Sequence, residues 1–296
     1  MTQDRRALGA FLRSRRDAIS PASAGIEPFP GARRVPGLRK EELAVAAGLS
    51  PDYYSRVEQG RQATVSREVL DALARALRLD DVERAHLHDL ADPVESRGVR
   101  RADGHEAAQR ADPGLLRVMD ALGHLPVLLL GRRGDVLAVN PLVGAVLGTT
   151  LSAGSSFLGW LFLDPVARER IVNWEVFAQA SVGALRRESG RHPGDARLRR
   201  LVAEVSAADD DVARWWDDQG VRDYASVAKR IRHPALGDLE FGIEIVTGPA
   251  DPEQRLVVYT VEAGSETART LPILASWEAD GQPAPVLGGR EPAGPA

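Results

Sequence analysis

The sequence predicts two domains, an all-α one followed by an α+β one built on a five-stranded antiparallel sheet. Three observations carry this. The 296 residues fit two domains at roughly 100–200 residues each. From residue 5 to 91, apolar side chains recur at spacings of three and four, the helical period. From residue 127 to 261, two strand patterns, a helical insert and three further strand patterns follow one another.

The first domain is predicted over 1–91. Leu8, Phe11, Leu12 and Ile19 mark its first helix, with Arg13, Arg15 and Arg16 between them. Residues 20–38 carry Pro21, Gly25, Pro28, Pro30, Gly31, Pro36 and Gly37, which predicts a long loop. Helical patterns resume over 39–47, 51–59, 66–77 and 81–91, and Val69, Leu70, Leu73 and Leu77 form an amphipathic stripe. Residues 92–112 hold few apolar side chains and read as a linker.

The second domain is predicted over 113–278. Residues 127–130, the turn 131–135 and residues 136–139 read as a hairpin. Residues 141–217 contain helical blocks with Trp160, Trp174, Trp215 and Trp216. Strand patterns then cover 226–233, 238–246 and 255–261, and Leu239, Phe241, Ile243 and Ile245 fall on one face of the second. Period two over that length predicts one buried and one wetter face. This element order is that of a PAS-like sensor domain, with helices packed on an antiparallel sheet. The Pro/Gly-rich stretch 279–296 is predicted to be a disordered tail.

Composition removes several function classes. The net charge of −4, from 38 basic and 42 acidic side chains, excludes a uniformly basic nucleic-acid coat. A local patch survives: residues 1–61 hold 11 basic and 7 acidic groups. Only two of the 38 basic residues are lysines, Lys40 and Lys229; that bias follows GC-rich codon usage and says nothing of nucleic acid by itself. The absence of cysteine excludes disulfides, thiolate metal sites and Cys nucleophiles, and fits a cytoplasmic protein. No run approaches about 18 uninterrupted apolar residues, and the first residues carry no apolar signal core, so neither a membrane span nor a membrane partner is expected.

Residues 40–60, KEELAVAAGLSPDYYSRVEQG, satisfy every local rule of a helix-turn-helix. Leu43 and Ala47 share a helix face, and Ala44 is small where two helices must approach. Gly48 suits a turn that needs positive φ. Ser50 is an N-cap and Pro51 fits the first helical position. Tyr54 and Val57 face inward. The second helix of such a motif enters the major groove with its N-terminal residues leading. Its outward face holds Pro51, Asp52, Tyr53 and Arg56. Arg56 can donate two bonds to a guanine edge. Asp52 either accepts from a cytosine amino group or complements the helix dipole. Tyr53 either meets a thymine methyl or bonds a phosphate. Arg39, Lys40, Ser50 and Arg61 complete the candidate DNA-binding set.

This pattern resembles the lambda-repressor-like, or Xre/Cro-type, helix-turn-helix, with Lys40 where that family usually has Gln. The resemblance extends further. The insert SPASAGIEPFPGARRVPGLRKEEL, the Asp52-Tyr53-Tyr54 core and residues 77–84, 130–141, 190–193, 230–234 and 255–260 are similar to the MmyB-like family of bacterial regulators, over about residues 7 to 278. Gln219-Gly220 stands where that family has a His-Asp pair. The resemblance implies a C-terminal PAS-like ligand-binding domain and a fatty-acid-like apolar ligand.

The side chains give that domain a candidate pocket. Phe157, Trp160, Phe162, Trp174 and Phe177 from the helical insert, with Phe241, Ile243 and Tyr259 from the strands, exceed what one sheet face needs; the alternative is an ordinary packed core. Arg230 or Arg232 is the candidate for a ligand carboxylate, by paired donors.

Enzyme motifs are lacking. Neither lysine follows a glycine as in a Walker A loop, and no Gly-x-Gly occurs. The run 154–159 lacks nucleophile-elbow spacing. The segment from His105 to Gln109 lacks the second His of a zincin motif, and His86 and His88, two apart on a helix, point away from each other. The expectation is a cytoplasmic, homodimeric, sequence-specific regulator of double-stranded DNA. It has no catalytic residue, no metal and no cofactor other than a bound fatty acid. The alternative is a DNA-tethered protein-interaction module with no small-molecule ligand.

Overall fold

The computed structural model describes residues 2–27, 29, 37–92, 109–221, 228–249 and 251–279. Of the linker expected over 92–112 and the tail expected over 279–296, residues 93–108 and 280–296 lie outside the described residues. The first elements are helices α1 (Thr2–Ala18), α2 (Pro21–Ala24), α3 (Lys40–Ala46), α4 (Pro51–Glu58), α5 (Arg67–Ala76), α6 (Asp81–Ala91) and α7 (Pro113–Ala121). Strands β1 (Val127–Leu130) and β2 (Val136–Val139) follow, then helices α8 (Pro141–Leu147), α9 (Phe157–Leu163), α10 (Pro165–Arg170), α11 (Trp174–Arg191), α12 (Ala196–Ala208) and α13 (Asp210–Asp217). Strands β3 (Lys229–His233), β4 (Gly237–Thr247) and β5 (Arg255–Thr260) and helix α14 (Glu266–Ala279) complete the order. None of the described helices is long and apolar enough to cross a membrane.

Packing divides the chain into two units, Met1–Glu106 with Ala180–Asp223, and Ala107–Gln179 with Tyr224–Ala296. This differs from the sequence boundaries of 1–91 and 113–278, because 180–223 joins the helical unit. Amphipathic periodicity reports that a helix buries one face, not which partner covers it.

In the helical unit, Leu8, Phe11, Leu12, Leu43, Ala44, Tyr54, Val57 and Leu73 build one core, which Val221 also enters. A Cβ on Gly9 of α1 would overlap the backbone carbonyl of Glu58, so glycine is what lets α1 and α4 meet. The loop expected over 20–38 contains the short α2, because Ser20 caps it, Pro21 starts it and Gly25 ends it in the left-handed region. The second segment of the unit is tied to the first by hydrogen bonds from Ser14 Oγ (2.8 Å) and Arg15 Nη2 (2.9 Å) to the carbonyl of Asp218, and by Arg191 beside Asp89 at 3.8 Å.

The second unit holds a five-stranded antiparallel sheet in the order β2-β1-β5-β4-β3, as the strand patterns predict. Leu115 and Met119 of α7 pack with Val127, Leu129, Leu256 and Val258 on one face of it. The other face carries Leu239, Phe241 and Ile243 of β4 and Tyr259 of β5, all buried. Helix α14 has no clear sequence signal because Pro272 stands inside it. Leu271 and Leu274 are nonetheless buried, and their burial outweighs the lost backbone bond.

Candidate DNA interface and aromatic cage

The turn between α3 and α4 forms as the residues dictate. Gly48 has φ 69°. The Ser50 side chain accepts from the backbone N–H of Tyr53 at 3.2 Å, and Pro51 occupies the first turn. Tyr54 and Val57 are buried, which turns the opposite face of α4 outward. Ser50, Pro51, Asp52 and Arg56 are exposed there, and Tyr53 is half-buried against the core. Arg56 donates to Asp52 at 3.0 Å, one turn away, and lies 6.0 Å from the Tyr53 ring centre. An exposed pair of this kind is worth little, so the guanidinium can exchange Asp52 for a base edge at small cost. Arg61 is exposed beyond the helix end and Arg39 is half-buried at the start of α3.

Lys40 is placed differently from a phosphate contact. Its ammonium is 3.1 Å from Glu58, which also receives Arg16 Nε at 2.9 Å and Tyr54 Oη at 2.8 Å. Burial pushes the Glu58 carboxyl up, but the bonds from Arg16, Tyr54 and Lys40 outweigh it and hold the group below the ordinary carboxylate range. Arg16 also donates to the carbonyl of Leu38 at 2.7 Å. This network fastens α1, α3 and α4 together behind the exposed face, and sequence reasoning missed it. Gln219 likewise carries a polar role, accepting from the buried Arg186 at 2.7 Å while that guanidinium lies 4.2 Å from the Trp216 ring centre.

In the second unit, β3 alternates in burial, with Lys229, Ile231 and His233 inward and Arg230 and Arg232 outward. Arg230 and Arg232, expected as the carboxylate contact, therefore lie on the face opposite the buried aromatic side chains. Strict β alternation puts both on the wet face, where Arg232 pairs with Asp238 at 3.1 Å. The inward cation is Lys229, which is fully buried. Its Nζ donates to Tyr259 Oη at 2.8 Å. The ring centres of Phe177, Tyr259, Phe157 and Trp160 lie 4.2, 5.1, 5.2 and 5.7 Å from it. Phe241 is its register partner on β4 and stacks on Tyr259, and Ile243 is the register partner of Tyr259.

Five of the predicted ligand residues, Phe157, Trp160, Phe177, Phe241 and Tyr259, thus surround one amine that the sequence reading did not select. Phe162 and Trp174 form a separate edge contact with centres 6.5 Å apart, and Arg168 lies 3.7 Å from the Trp174 ring. Burial lowers the Lys229 amine from 10.5 to about 7. The signal available in the sequence was parity: Lys229 shares the face of Ile231, in a chain whose other 37 guanidinium or ammonium groups include only one more lysine. A cleft of about 520 Å³ opens elsewhere in this unit, lined by Asn140, Pro141, Gly144, Gly148, Thr150 and their neighbours. Among the described residues, no group of three or more His, Asp or Glu side chains is placed to hold a metal.

A helix-turn-helix with its second helix bared, joined to an α+β domain, defines a DNA-binding regulator with a ligand-binding domain. Two family models match accordingly: "Helix-turn-helix domain" over residues 7–87 and "MmyB-like transcription regulator ligand binding domain" over 111–274. The chain belongs to the MmyB-like transcription regulators. No curated protein matches it.

Proposed function

We propose that this chain is a cytoplasmic, non-enzymatic, homodimeric transcription regulator whose second domain, PAS-like in architecture, senses an apolar, fatty-acid-like molecule. The observation that carries the ligand reading is the aromatic cage, where Phe157, Trp160, Phe177, Phe241 and Tyr259 surround a single buried amine. Apolar walls with one convergent polar group are the usual make-up of a small-molecule site. The DNA reading rests on the exposed Asp52 and Arg56 of α4. A lone recognition helix reads few base pairs, so two half-sites about 34 Å apart per helical turn give useful specificity; that argues for the dimer. Binding regulates only if the ligand favours one DNA-binding state over another.

The test is mass spectrometry of small molecules extracted from the purified chain, paired with genome-wide footprinting. Recovery of a long-chain acid together with discrete operator sites supports the proposal. Discrete sites with no co-purifying small molecule, and no response of thermal stability to C14–C18 acids, would turn the second domain into a protein-interaction module.

A further inference from the structure

We propose that the helical unit carries an anion site of its own, in which the Nε–Nη2 edge of Arg186 takes two oxygens of a small oxyanion, a phosphate or carboxylate group, beside Arg15 and His86. The site is independent of whatever the second domain binds. Its residues come together from three helices of that unit. Arg186 sits on α11, one turn before Gly190, and a Cβ on Gly190 would stand 2.9 Å from His86 Cε1 of α6. His86 packs edge-on against Phe11 of α1 with ring centres 5.0 Å apart, and the Arg15 guanidinium lies 5.7 Å from the same ring centre. Two adjacent residues just past α13 hold the two guanidinium groups. The carbonyl of Asp218 accepts from Arg15 Nη2 at 2.9 Å, and Gln219 Oε1 accepts from Arg186 Nη1 at 2.7 Å.

What this cluster lacks is an acceptor. Arg186 is 6% exposed, and its Nε and Nη2 are buried with no hydrogen-bond partner among the described residues. A guanidinium directs Nε–H and one Nη2–H the same way, the fork that a pair of carboxylate or phosphate oxygens fits. Arg15 Nε and His86 Nδ1 are buried without a partner as well. Buried donors left without acceptors are costly. Charge is unbalanced in the same place. Arg15 has Glu83 at 2.9 Å. Asp217 and Asp218 act on Arg186 only from a distance, and both are exposed. Burial and then Arg15 lower the Arg186 guanidinium from 12.5 to about 10. Burial, followed by Arg186, Arg187 and Arg15, brings His86 down to about 3. Three cations thus surround an uncharged imidazole, and one anion answers both the missing acceptor and the missing charge. The Trp216 ring covers a face of the Arg186 guanidinium at 4.2 Å, which leaves the edge for hydrogen bonds.

The test follows thermal unfolding of the full-length chain in increasing sodium phosphate, sodium formate or sodium chloride at matched ionic strength. Wild type, Arg186→Lys, Arg186→Met and Arg56→Ala are compared. In wild type the melting temperature should rise and saturate with phosphate or formate, as binding to the folded state alone requires, and not with chloride. A response to phosphate alone identifies a tetrahedral oxyanion, and a response to formate alone identifies a carboxylate. Arg186→Lys keeps the charge and loses the fork, so the midpoint concentration should rise about tenfold or more. Arg186→Met should abolish the response, with the Lys variant standing in if the Met variant does not fold. Arg56→Ala should leave the response in place, since that guanidinium lies on the exposed face of α4. An absent or unsaturable response, an equal one in chloride, or a midpoint unchanged in Arg186→Lys overturns the site. Loss of the response in Arg56→Ala with retention in Arg186→Lys overturns it too, by placing the ion on the DNA-facing surface.

Discussion

Replacing Lys229 by Met should stabilise the unliganded protein, and the gain should vanish as pH rises. The amine falls from 10.5 to about 7 on folding. At about 1.4 kcal/mol per tenfold change in proton affinity, that is a cost of about 5 kcal/mol for holding the charged form in the fold. Attraction to the surrounding ring faces is a real offset of about 2 kcal/mol. The Met variant also leaves Tyr259 Oη without its partner, at about 1 kcal/mol. The net gain expected at pH 6.5 is therefore about 2 kcal/mol.

The sign follows from proton counting. Below about pH 7 the amine is protonated in both states and the cost is full. Between about 7 and 10.5 the unfolded chain binds more protons than the folded one, so wild-type stability climbs with pH. The variant lacks that climb. The groups facing the amine leave this window clear. Phe157 and Trp160 from α9, Phe177 from α11 and Phe241 from β4 do not titrate. Burial pushes the Tyr259 phenol well above its ordinary range. On the same face of β3, burial and then Arg170 lower His233. Urea unfolding of both proteins at pH 6.5, 8 and 9.5 reads the difference. A gap between them that is constant across this range, or that grows with pH, would refute a solitary buried amine.

Arg56→Ala should relax preference at one base-pair position, costing about 1–3 kcal/mol on the best site, whereas Arg39→Ala should weaken all sequences alike; equal loss of specific and non-specific binding by Arg56→Ala in anisotropy titrations contradicts the base-reading role. Glu58→Gln should destabilise the helical unit by about 3–5 kcal/mol, since it strips a buried pair of its anion. The stability that Glu58 contributes is present above the ordinary carboxylate range and lost as pH falls through its lowered value, so thermal melts of wild type and variant should converge in acid. Gly9→Ala, which drives a methyl into the Glu58 carbonyl, should lower the melting temperature of the helical unit, and an unchanged melt would show that α1 and α4 can separate freely. Sedimentation should find two chains on each operator, against one chain on a single half-site.

Legibility followed the range of the physics. The turn at Gly48, Ser50 and Pro51 obeys rules local to a few residues, so the helix-turn-helix was readable position by position. Alternation along β4 and β5 was readable for the same reason. The packing of 180–223 with the first helices was not, because the stripes on α12 and α13 identify no partner. Nor was α14, where Pro272 contradicts the helical rule and burial of Leu271 and Leu274 overrides it. The aromatics of the cage were visible as apolar excess. Lys229 was not, because a cation on a buried face runs against the pattern used to find buried faces. Arg230 and Arg232 were chosen for donor chemistry, although the alternation that points Ile231 inward points them out.

Operator affinity measured by anisotropy, with and without a saturating C14–C18 acid, tests most directly whether this is a ligand-responsive regulator. The account predicts a shift of about fivefold or more in wild type and a smaller one in Lys229→Met. An operator affinity unchanged by an acid that calorimetry shows to be bound would contradict it.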